Sequence, residues 1–107
     1  MSSDPAIAAT PKPPYYAVIF TSLRTPGDNG YAATAERMVE IARTLPGFLG
    51  IESAREGLGI TVCYWDSLES IARWKAHAEH QEAQRRGKSE WYAHFRTRIA
   101  KVERDDG

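Results

Sequence analysis

The order of apolar runs and amphipathic stretches, β-α-β-β-α-β, predicts an α+β sandwich with an antiparallel sheet. Three observations carry that reading. The run Tyr15 to Leu23 is β-branched and aromatic; Met38, Ile41, Ala42 and Leu45 recur at helical spacing; and the apolar run Ile60 to Trp65 feeds directly into helix-starting residues at Asp66 and Ser67. At 107 residues the chain holds one domain.

Residues 1–14 contain four of the six prolines, and Pro11-Lys12-Pro13-Pro14 lacks the donors a helix or ladder needs, so this stretch reads as an extended arm held down by some contact, a neighbouring subunit being one candidate. The domain itself spans 15–104, and 105–107 form a short tail. The first strand, Tyr15 to Leu23, closes at the turn-rich segment Arg24 to Gly30. A helix follows from about Tyr31 to Leu45, ended by Pro46-Gly47. Phe48 to Arg55 alternates Leu49, Ile51 and Ser53 against Gly50, Glu52 and Ala54, as a half-buried strand does. Glu56-Gly57-Leu58-Gly59 supplies a hairpin turn into Ile60–Trp65. Asp66 with Glu69 three residues later has the spacing of a capping box, and Leu68, Ile71, Trp74, Lys75 and Ala78 mark the inner side of one helix. A further helical segment covers Gln81 to Lys88, and the last strand runs from about Trp91 to Val102. This element order is that of a ferredoxin-like β-α-β-β-α-β sandwich.

A two-layer sandwich leaves one sheet face wet, so its strands should alternate. The first and third do not. Ala17 and Ile19 stand on one parity with Val18 and Phe20 on the other, and Ile60, Val62 and Tyr64 oppose Cys63 and Trp65. An apolar face of that extent marks an interface or groove, and packing against a second copy, sheet to sheet, is the expected cover. A chain this short also gains from a partner.

Fourteen Lys+Arg balance fourteen Asp+Glu, which gives no basic excess to drive nucleic-acid binding. No apolar run approaches the roughly 20 residues of a bilayer span, and Met1 to Pro5 carries no basic or apolar leader pattern, so a cytoplasmic location is expected. A lone Cys63 excludes an intrachain disulfide and reads as a buried small hydrophobe.

The residues able to carry chemistry are few. His77 and His80 are three apart, and a metal site there would need a third ligand that no placed Asp, Glu or Cys supplies. Helical phase sets His77 at the edge of the apolar stripe behind Trp74 and turns His80 nearly opposite Ile71. His77 is then either a solvated histidine or an acid/base reached beside Trp74. Trp65, Trp74, Trp91, Tyr64, Tyr92 and Phe95 are either core fillers or the walls of a cavity for a flat ligand. Seven basic positions against two acidic ones between 85 and 104 include Arg96 and Arg98 on one strand face, suited to subunit salt bridges or to an anion or phenolate. No G-x-G-x-x-G, Walker loop, G-x-S-x-G or H-E-x-x-H is present.

From Tyr15 to Glu103 the chain resembles the antibiotic biosynthesis monooxygenase (ABM) family. The resemblance rests on Leu45-Pro46-Gly47-Phe48-Leu49-Gly50 and on Tyr64-Trp65-Asp66-Ser67 leading into Ile71-Ala72-Arg73-Trp74-Lys75-Ala76-His77. It implies a homodimer in which two sheets face each other as a dimeric α+β barrel. For some members it implies oxidation of phenolic or polycyclic substrates by O₂ without metal or flavin, the substrate anion supplying the electron. Transferred to this chain, His77 would be the base, Trp74, Trp65 and Tyr92 would hold the ring, and Arg96 would steady negative charge. Haem-degrading relatives use a helix tryptophan, matched by Trp74, a histidine whose position falls at or near Gln84, and an asparagine where the first strand has only Thr21 and Ser22. Haem is therefore disfavoured as a cofactor and no other is implied. A non-catalytic dimeric small-molecule-binding or stress-related protein is the alternative reading.

Overall fold

The computed structural model describes residues 7–107; residues 1–6, where the arm begins and where the leader reading was made, lie outside the described residues. The elements are β1 (Tyr15–Arg24), α1 (Tyr31–Thr44), β2 (Phe48–Glu56), β3 (Leu58–Trp65), α2 (Leu68–Ala76), α3 (Ala78–Arg86), a π-helical turn (Gly87–Trp91) and β4 (Tyr92–Val102). The strands form one antiparallel sheet in the order β2-β3-β1-β4. This is the expected ferredoxin-like α+β sandwich.

Local chemistry fixes the element ends. The Asp28 carboxylate accepts the Gly30 and Ala32 N–H groups at 3.0 and 3.1 Å, satisfying donors at the start of α1. After α1 the chain turns at Gly47, whose φ of 89° only glycine adopts without strain; the Asp66 N–H donates to the Gly47 carbonyl at 2.8 Å and locks the turn to the start of α2. That bond also corrects the predicted capping box. The Asp66 N–H that Glu69 would have accepted is already used, and Ser67 caps α2 instead, its Oγ accepting the Ser70 N–H at 3.1 Å. Ser70 Oγ in turn donates to Asp66 at 2.6 Å, which holds that carboxyl below its ordinary range.

A second correction concerns the helix after β3. It does not run through His77: α2 stops at Ala76, His77 is extended (φ −60°, ψ 132°), and α3 starts afresh. A third is the start of β4, because Trp91 belongs to the π-helical turn and pairing begins one residue later.

Residues directly opposite in a ladder point to the same face. Tyr16 and Val18 of β1, Cys63 and Trp65 of β3 and Phe48 of β2 therefore share the helix side, where they pack on Met38, Ile41, Ala42 and Leu45 of α1 and Ile71 and Trp74 of α2. A register shift between Phe48 and Gly50 absorbs Leu49, so Phe48 joins Ile51 on this side and the simple alternation expected for β2 starts only beyond the bulge. Trp65 is fully buried at the centre. Truncating a tryptophan so placed costs about 3–5 kcal/mol.

The other face carries Ala17, Ile19 and Leu23 of β1 beside Leu58, Ile60 and Val62 of β3, with no helix over it. Leu23, Leu58 and Ile60 are 43%, 51% and 41% exposed. The arm from Ile7 to Pro14 rests against one end of this face through its own chain: the Ala8 N–H donates to Glu52 at 2.9 Å, and the Thr10 hydroxyl meets Tyr15 Oη at 2.9 Å. Among the described residues no helix is long and apolar enough to cross a membrane.

Candidate active site at two ends of the helix–sheet interface

The predicted ring-holding and acid/base residues fall into two groups on the helix side of the sheet. One lies around Trp74. Its indole is near parallel to that of Trp65, 6.1 Å between centroids and 27° apart, and Phe48 meets Trp65 edge-on at 5.3 Å. Both tryptophans are core residues, and Trp65 Nε1 is buried with no partner among the described residues. His77 is half-buried, its ring 6.4 Å from Trp74, and its Nδ1 accepts the Glu79 N–H at 3.2 Å as the cap of α3.

His80 is the residue that helical phase misplaced. Because the helix breaks at His77, the phase resets, and His80 turns back onto Trp74 with its ring 4.1 Å away and 12° from parallel. Its Nδ1 donates to the Trp74 carbonyl at 3.0 Å, and burial pushes the imidazole below its ordinary value. Nothing between Lys75 and Glu79 is a helix breaker by propensity, so no local signal announced this.

The second group surrounds Tyr92, at the far end of β1. Phe20 meets the Tyr92 ring at 5.0 Å and the Phe95 ring at 5.6 Å, which makes an aromatic wall. Tyr31, the first residue of α1, packs edge-on to both Tyr92 and Trp91 at 5.8 Å. The Tyr92 phenol is raised well above the ordinary phenol range, first by burial and then by its hydrogen bond with Tyr31, while the guanidinium charges of Arg55 and Arg24 act on it in the opposite sense. It is a protonated donor at neutral pH.

Both arginines are held. Arg24 lies 3.6 Å over the Tyr31 ring and donates to the carbonyls of Trp91 and Gly27, each at 3.0 Å. Arg55 donates to Ser22 Oγ at 2.6 Å and to the Ser22 carbonyl at 3.1 Å, and it crosses Gly59 so closely that any Cβ there would strike the guanidinium. The loop beneath is tied shut by Trp91 Nε1 and Arg86, which donate to the Asn29 carbonyl at 3.0 and 2.8 Å. The sequence reading identified Tyr92 but missed Tyr31, Arg24 and Arg55. Alternation in β1 and β2 put Arg24 and Arg55 on the Phe20 and Ile51 parities, and that was the available signal.

Arg96 joins neither group. It stands opposite Thr21, on the face away from the helices, exposed beside Arg98. Thr21 shares that face, and Ser22 Oγ is already taken by Arg55, so the first-strand residues do not fit a haem site and no haem chemistry is drawn from them. Among the described residues no three of His, Cys, Asp or Glu converge as a metal-ligand set.

Comparison with known proteins agrees with this architecture. The chain is 55% identical over 100 residues to the uncharacterized protein YqjZ of Bacillus subtilis, covering 92% of this chain and 88% of that one. Among solved structures, PA3566 from Pseudomonas aeruginosa matches with a TM-score of 0.69 at 14% identity, over 89% of this chain and 98% of that one. SnoaB, a cofactor-independent oxygenase from Streptomyces nogalater, matches with a TM-score of 0.69 at 9% identity, over 89% and 97%. At those identities the likeness is one of fold. The model of the antibiotic biosynthesis monooxygenase family matches residues 14–86, and with the sheet order and helix placement described above this chain belongs to that family.

Proposed function

We propose that this protein is a homodimeric, cofactor-independent monooxygenase that oxidises a flat phenolic or polycyclic aromatic small molecule with O₂, working as a single domain over residues 15–104 with an arm and a tail. The observation that carries the reading is the pair of phenols, Tyr31 and Tyr92, set between two fixed guanidinium groups and the Phe20–Phe95 wall. A flat ring stacks on such a wall for about 0.5–1.5 kcal/mol beyond its area burial. A cation within about 4–6 Å lowers a phenol pKa by roughly 1–3 units, so Arg24 and Arg55 favour the phenolate, and the protonated Tyr92 hydroxyl donates to its oxygen.

The anion then supplies the electron. A phenolate conjugated to a CH₂ group passes one electron to O₂, and the superoxide and carbon radical join in a new C–O bond. The peroxide takes up a proton, the remaining C–H proton leaves, and the O–O bond breaks with loss of hydroxide. The CH₂ group has become C=O, O₂ is consumed in equal amount, and the second oxygen leaves as water. His77, the base suggested by the sequence, competes with the arginine pair for the role of promoting ionisation.

Oxygen uptake with an anthrone and a panel of hydroquinones tests the proposal. The wild-type chain should consume O₂ and yield quinone in equal amounts. Arg55→Met should lose about 100-fold or more in rate, Arg55→Lys should recover part of it, and His77→Ala should retain most of it. Loss confined to His77→Ala would move the chemistry to the Trp74 end. Saturable binding of these phenols without uptake would establish a binding protein instead.

A further inference from the structure

The rows that cross the open face of the sheet have a constant electrical sense. One row, followed through the ladders from β2 to β4, reads Glu52, Val62, Ile19, Arg98. The row two residues nearer the β2–β3 turn reads Ala54, Ile60, Thr21, Arg96, and the next reads Glu56, Leu58, Leu23, His94. The face is therefore an apolar stripe on β3 and β1, with an acidic margin on β2 and a basic margin on β4. At about 4.8 Å between strands the two margins are roughly 14 Å apart, too far for these side chains to pair within one chain.

Two identical sheets packed face to face and aligned are related by a two-fold axis that runs either along the strands or across them. An axis across the strands sets β4 on β4, so that Arg96 and Arg98 meet their own copies. An axis along the strands sets β4 on the partner's β2, and every row lies on its own reverse. We infer that a second copy of this chain covers the open face about an axis parallel to the strands, with Arg98 and Arg96 of each protomer against the acidic margin of the other. The inference rests on the homodimer reading above and adds its orientation. It also gives Arg96 a use on the side of the sheet away from the phenol pair. Glu52 keeps its own bonds, accepting Tyr64 Oη–H at 2.6 Å and the Ala8 N–H, whereas Glu56 has no hydrogen bond or ion pair among the described residues.

Complementary charge reversal tests this by sedimentation equilibrium. Arg96→Glu/Arg98→Glu makes both margins acidic, and Glu52→Lys/Glu56→Lys makes both basic. Each variant alone should dimerise about 100-fold or more weakly than wild type, because like charges then face each other. Mixed together they should form a heterodimer of near wild-type affinity, and a chain carrying all four changes should dimerise with itself but not with wild type. Should Glu52→Lys disturb the arm and the fold, Glu56→Lys alone replaces it and keeps the test. If the separate variants associate as tightly as wild type, the orientation is wrong. If wild-type chain is monomeric, the homodimer reading itself fails.

Discussion

The His80 imidazole lies flat against the Trp74 indole, with 4.1 Å between ring centroids, and its Nδ1 donates to the carbonyl of that same tryptophan. Burial pushes its pKa down, and the positive charges of His77 and Lys75 act in the same direction. The folded chain therefore binds fewer protons than the unfolded chain once pH falls toward the unfolded histidine value of about 6.5. Stability should decline as pH drops through that region, before carboxylates titrate. Urea midpoints between about pH 7.5 and about pH 5.5 should fall for wild type and fall less for His80→Phe, which keeps a flat ring on Trp74. An equal fall in both would show that His80 contributes nothing to the slope.

Gly47 and Gly57 both have positive φ, 89° and 79°, but only Gly47 is crowded, its position for a Cβ being occupied by Ser70 and Asp66. Gly57→Ala should cost about 1 kcal/mol through backbone strain alone. Gly47→Ala adds the collision and should cost about 3 kcal/mol or more. Thermal melts of the two variants compare them directly.

Ser67, not Asp66 with Glu69, caps α2, which makes a clean pair of substitutions. Ser67→Ala removes the acceptor for the Ser70 N–H and should destabilise by about 1 kcal/mol. Glu69→Gln should change the denaturation midpoint little.

Cys63 faces the helix side of the sheet, and burial pushes its thiol up to about 11. The thiolate is the reactive form, so the folded chain should resist maleimide labelling at neutral pH and label only as it unfolds. Labelling rates should track the unfolding curve in urea. Rapid labelling of the native chain would contradict the burial described here.

Tyr92→Phe and Tyr31→Phe keep both rings and delete one hydroxyl each. Each should lower the rate of phenol oxidation by about tenfold or more, with little change in melting temperature. Because the Tyr92 phenol sits above the ordinary range, the wild-type rate should show no limb from its ionisation near neutral pH.

The alternating and apolar runs were enough to give four strands, their order of appearance and the two-faced character of β1 and β3. Those features come from side-chain polarity at a period of two or 3.6, which is a local property. The break at His77, the bulge at Leu49 and the π-helical turn before β4 were not legible, since each is settled by what packs against it: Trp74 receiving His80, Trp65 receiving Phe48, and Asn29 receiving Trp91. The candidate site divides the same way. Tyr92 was visible as one of several aromatics, whereas Tyr31, Arg24 and Arg55 come from three separate stretches and meet only when β2, β3 and β1 pair.

Periodicity and residue type by themselves thus determined the α+β sandwich, its excess of apolar sheet surface and its family likeness. Tertiary structure alone decided that Arg96 stands on the opposite face from Trp65 and Trp74, that His80 rather than His77 is stacked on the indole, and that two arginines flank one phenol pair. The physical reason is register. A one-residue shift in a strand, or one extended residue between two helices, turns a side chain to the other side of its element, and only long-range pairing fixes which of those choices is made.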